Sequence, residues 1–326
     1  MKADDRSLLA QLESLLGSRY TLFVVGLAVV LAALLALAAY AQGPQHVSVA
    51  LWRLGLNPTI VVYILLVHPF MHRRWQRAMD SLYALAPQAE GAGWQKPIRQ
   101  RNEWAAVLLG ALFGLVVARN VPGIQGWLRV YSEATSALTF ALLAVAIYRS
   151  LASSRHLAAY SNAGLELDVF DGHLLTPFAQ WGQSLSLVFV GGISLSLLFQ
   201  SYQSLRSVEG MTIYGSLVIV ALTLFFMSMW TIHVALARAQ RKELAKVRRD
   251  LAAAREVLRL ERADDPAAVL HDAYLPAVVC GIYEKQVLDA STWPFNPVIV
   301  GRVLASAVAP LAVYVLKLAF GVGGGL

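Results

Sequence analysis

No proline lies between Thr212 and Arg262, and Gly215 is the last glycine of that stretch. Its first half, Thr212 to Ala237, is apolar, whereas Arg238 to Arg262 is dense in Arg, Lys, Asp and Glu. With nothing to punctuate the passage, the stretch predicts one helix that leaves a membrane and projects into water. At 1.5 Å per residue, about 50 residues span on the order of 75 Å, more than twice the roughly 30 Å of bilayer hydrocarbon. Half of such a rod must stand clear of the membrane.

Composition agrees with a membrane setting. Hydrophobic residues make up 57% of the chain, charged residues 14%, and mean hydropathy is +0.56, values outside the soluble range. Asp4, Asp5 and Glu13 stand where a signal peptide would be basic, so the opening does not read as one. The single cysteine, Cys280, excludes an intrachain disulfide and a Cys-based zinc cluster. The net charge of +7 is explained by topology before nucleic acid, which is not expected as a partner.

Apolar runs predict an all-α, polytopic membrane protein of seven transmembrane helices, at about 20–40, 51–71, 104–118, 132–148, 183–199, 212–237 and 296–320. On that layout 21 of the 27 basic residues fall on one side, which sets the N-terminus in the cytoplasm and the C-terminus outside. A long cytoplasmic helical extension separates the sixth and seventh helices. The chain divides into residues 1–210, with helices one to five and their cytoplasmic loops, and 211–326, with helix six, the rod and connector at 238–296, and helix seven. Leu8, Leu12 and Leu15 mark an amphipathic segment at the membrane surface. Asn57-Pro58 and His68-Pro69 are expected to bend the second span, and Gly191-Gly192 with Ser184, Ser186, Ser194 and Ser196 to let the fifth pack closely. The basic 72–103 loop with Trp75 and Trp94 reads as interfacial anchoring or a site for anionic lipid. The acidic-apolar stretch Leu165 to Phe178 should pack on the inner ends of the bundle or on the rod.

Leu244, Val247, Leu251, Ala254 and Leu258, spaced three, four, three and four, form a coiled-coil seam of about two heptads. A seam that short needs a partner, either elsewhere in the chain or in another copy, and self-association is the favoured expectation. Trp293, Pro294, Asn296 and Pro297 cannot sustain helical hydrogen bonding and predict a hinge that seats the last helix. On that helix Arg302, Ser306, Pro310, Val313 and Lys317 share one face, with Tyr314 beside it. Polar groups there either snorkel to the headgroups or line a water-filled pore or cavity. In a ring of such helices Arg302 and Lys317 would favour anions.

His68 and His72, four apart, have the spacing of two imidazoles on one metal, beside the plainer reading of an interfacial pair near Arg73 and Arg74. No Gly-rich phosphate loop, nucleophile elbow or His-Glu-x-x-His helix is present, and every acid reads as lying in a loop or the rod. No cofactor is expected.

This layout resembles that of the insect odorant and gustatory receptor channels: seven spans, an inside N-terminus, a shared cytoplasmic anchor and a last helix lining a tetrameric pore. The last helix of that family carries a Tyr followed after five apolar residues by Gln-Phe. Here Tyr314 is followed by Val315 to Ala319 and then Phe320, with Lys317 in the run and no Gln. The resemblance implies a homotetrameric, ligand-gated ion channel whose partners are its own copies, membrane lipids and a small molecule or ion. The Ala, Leu and Arg-rich composition is similar to that of bacterial inner-membrane proteins. A second resemblance, of His68 and His72 to the His pair of the adiponectin-receptor and ceramidase group, implies a zinc-dependent hydrolase acting on lipid. A non-conducting scaffold or signalling protein is the third expectation.

Overall fold

A computed structural model of the chain describes residues 8–43, 54–85, 100–119, 124–162, 176–200, 208–260 and 274–290, and isolated positions between 301 and 316. Every long element among them is an α-helix. These are α1 (Leu8–Leu16), α2 (Tyr20–Tyr40), α3 (Leu56–Leu85), α4 (Gln100–Arg119), α5 (Gly126–Asn162), α6 (Thr176–Phe199), α7 (Val208–Leu260) and α8 (Leu275–Asp289), with a 3-10 turn at Gly17–Arg19. Four stretches among the described residues are long and apolar enough to cross a membrane: Leu9–Tyr40, Asn102–Arg119, Gly126–Ser153 and Gln180–Phe199. The expected second span, now within α3, is not among the four, because Asn57, Pro58, His68, Pro69 and His72 interrupt its apolar run. The last expected span lies largely outside the described residues.

The bundle is assembled by close approach. α4 and α5 form a tight hairpin around Gly110 and Gly114. A methyl group on Gly110 would sit 2.9 Å from Ala141 Cα, and one on Gly114 2.9 Å from Ala137 Cα, so only glycine admits this spacing. The pair is a Gly-x-x-x-Gly step, which in a bilayer brings backbones together where no hydrophobic effect drives association. The outward face of α4 leaves Leu108, Leu109, Leu112 and Val116 exposed, as lipid contact requires.

α3 packs against α6, α5 and α2. On the α6 side the Tyr63 hydroxyl donates to Val188 O at 2.8 Å, and its ring lies where a side chain on Gly191 would need to be. On the α5 side Asn57 Nδ2 donates to Ser136 Oγ at 2.7 Å, and Thr139 Oγ1 donates to Asn57 O at 3.2 Å. Pro58 does not bend α3: it stands in the first turn, where its missing N–H costs no helical bond. Pro69 is the internal one.

α7 runs unbroken for 53 residues, so the proline-free passage does form one helix. Its Ala221 is buried with Val190, Ile193 and Leu197 of α6, and Val313 of the terminal segment packs against the same cluster. α8, begun by Pro276 in its first turn, runs back along the polar half of α7. Gln240 Nε2 donates to Val287 O at 2.7 Å, Tyr283 Oη to Glu243 Oε1 at 3.3 Å, and Arg248 Nε to Glu284 Oε1 at 2.7 Å.

Candidate functional site

Two regions bring together the residues singled out by spacing. The first is the corner of α1, α2, α3, α4 and α5 around His68. Pro69 has no N–H to give to the carbonyl one turn back, that of Leu65, and a buried acceptor so freed must be satisfied by a neighbour. The Tyr20 hydroxyl at the start of α2 does this, donating to Leu65 O at 3.0 Å. The same geometry carries α1 over α3 and sets Glu13 Oε2 3.6 Å from His68 Nδ1. Both atoms are buried and neither makes a hydrogen bond. The rings of His68 and His72 stand parallel, 6.0 Å apart with a 7° interplanar angle, and Gln76 Nε2 lies 3.0 Å from His72 Nε2.

Glu103, 1% exposed, is ion-paired with Arg149. It stands in the first turn of α4, where the helix dipole favours a carboxylate. This acid reads from sequence as the end of a loop, and the structure corrects that: α4 starts at Gln100 and draws Glu103 inside the bundle. A charge at the start of one apolar run with an Arg at the end of the next was the available signal.

Chemically the corner offers an acid and an imidazole shielded from water, which a shift of about half an ångström would join by a hydrogen bond. It does not assemble a metal centre: among the described residues no three His, Cys, Asp or Glu side chains are placed to hold an ion. His173 and Asp168 lie outside the described residues. His233 stands instead beside Trp230, ring centroids 5.6 Å apart.

The second region is the α7–α8 pair. Of the expected seam, Val247 and Leu251 are buried and Leu244 and Ala254 half-buried, alongside α8 of the same chain; the side chain of Leu258 lies outside the described set. α8 of the connector lies along this stretch in cis, whereas self-association is the favoured expectation from the spacing. Packing turns Ala277, Cys280, Tyr283 and Val287 toward α7 and leaves the opposite face of α8 outward. On that face Leu275, Val278, Val279 and Ile282 are 40–61% exposed.

On the terminal segment Pro310 is buried and Val313 packs half-buried against α6 and α7, so these two residues of the expected pore-lining face turn into the bundle instead, whereas Gly301, Ala305, Val308, Ala312 and Val315 are exposed and repeat on one small, apolar face. Arg302, Ser306, Tyr314 and Lys317, and the hinge residues Trp293, Pro294, Asn296 and Pro297, lie outside the described residues. No protein-family model, curated protein or solved structure matches the chain.

Proposed function

We propose that the chain is a seven-span, homo-oligomeric ion channel of the inner membrane with a cytoplasmic N-terminus. Copies meet through their α7–α8 pairs, and residues 296–320 line the conducting path. The observation that carries this reading is the outer face of α8. Four apolar side chains at helical spacing stand exposed on a helix that flanks the polar half of α7; in the proposed layout that half stands in water, where a partner would bury such a face. The terminal segment follows α8 in the chain, so in this reading a ring of α8 helices would gather those segments around one axis. Tetramer is the expected number, and the exposed face of Gly301, Ala305, Val308, Ala312 and Val315 is the one turned to the path.

The test is cysteine cross-linking in a Cys280→Ser background. Val279→Cys is expected to yield covalent multimers of the membrane-embedded protein, and Ile282→Glu to abolish them. Reconstituted protein is expected to pass current in planar bilayers. Multimers without current would support the scaffold reading instead.

A further inference from the structure

We propose that the face of α3 from Leu66 to Arg77 binds an anionic phospholipid, its phosphate on Arg73, Arg74 and Arg77 and an acyl chain on Leu66 and Phe70. Positions 66, 70, 73, 74 and 77 share one side of the helix over about 16 Å. Leu66 and Phe70 are exposed, so an apolar stripe runs directly into three guanidinium groups. A site of that form takes an amphipathic ligand with a negative head.

Unordered arginines that merely reach the headgroups would have free side chains. Two of these three are held. Arg73 Nε donates to Pro69 O at 3.2 Å, the carbonyl at the internal proline. Arg74 donates from a terminal nitrogen to Gln180 Oε1 at 2.6 Å, and its guanidinium lies 5.3 Å from the centre of the Phe70 ring. The α6 residue it meets is fixed in turn, because Trp181 next to it is buried and packs on Trp75 with ring centroids 5.0 Å apart. Charge is also uncommitted: Arg119, Arg129, Arg149 and Arg248 each lie within 4.0 Å of a carboxylate, whereas among the described residues Arg73, Arg74 and Arg77 do not. Each guanidinium therefore keeps donors for the planar, forked contact that phosphate accepts.

Native mass spectrometry of the full chain, titrated with phosphatidylglycerol or phosphatidylcholine, tests this. Preferential retention of phosphatidylglycerol is expected, lowered about 10- to 30-fold by Arg73→Gln/Arg77→Gln, at about 1 kcal/mol for each surface arginine. Both side chains are exposed and the pair leaves the Arg74 to Gln180 contact in place, so the fold should persist; Arg73→Lys/Arg77→Lys, which keeps the charge without the fork, should keep only part of the retention. Phe70→Ala should weaken it through the chain-binding end. Arg249→Gln/Arg255→Gln, which removes the same charge from α7, should change nothing. Equal retention of the two lipids, an equal loss in the α7 control, or displacement of the lipid by millimolar inorganic phosphate would each overturn the proposal, the last by pointing to a free-anion site.

Discussion

Tyr20 is bonded to a carbonyl that only a proline could have freed. Its hydroxyl meets Leu65 O because Pro69 has no N–H to offer, so the value of this hydrogen bond depends on a residue it does not touch. Tyr20→Phe is expected to cost about 1 kcal/mol by leaving the acceptor unpaired. In a Pro69→Ala background, where the restored backbone N–H closes the helical bond itself, the same change should cost little. Thermal unfolding of the four proteins in one detergent measures the coupling, and equal losses in both backgrounds would refute this role of the proline. Glu103 and Arg149 follow a related logic. Glu103→Ala leaves a guanidinium uncompensated in the bundle and is expected to destabilise by about 3 kcal/mol, with part recovered in Glu103→Ala/Arg149→Ala. Additive losses in that cycle would mean that the two side chains act independently.

At the scale of elements, what could be read from sequence was whatever depends on local chain chemistry. The unbroken α7 follows from an absence of proline and glycine, and the start of α2 at Tyr20 from an apolar run. Facing was harder, because it depends on which neighbour arrives. The 3,4 spacing from Leu244 to Leu258 announces a partner but carries no sign that says whether it comes from the same chain, and α8 supplies one by folding back. Pro58 and Pro69 look alike in sequence, yet one opens a helix and the other interrupts it, since the difference lies in where α3 begins. The Gly110 to Gly114 step has no part in the sequence reading, where Gly191-Gly192 is the more conspicuous pair. It yields a clear prediction: Gly114→Ala should force α4 and α5 apart and cost about 1–3 kcal/mol, whereas Gly26→Ala, with no heavy atom within 4 Å of its added methyl, should be neutral. Melting temperatures of the two variants decide it, and equal effects would contradict the tight hairpin.

For the whole molecule, the apolar outer face of α8 and the apolar exposed face of the terminal segment are consecutive in the chain. In the proposed assembly one holds copies together outside the membrane and the other lies along the axis within it. That arrangement gives Val313 a packing role against α6 and α7 and leaves Ala305, Val308 and Ala312 as the narrow, apolar part of a path. The most direct measurement is an image of single particles of the full chain in lipid nanodiscs. The proposed assembly predicts a closed ring in which Leu275 to Ile282 lie at each subunit contact and residues 301–316 lie nearest the symmetry axis. A lone protomer, or a ring whose terminal segments face the surrounding lipid, would contradict it.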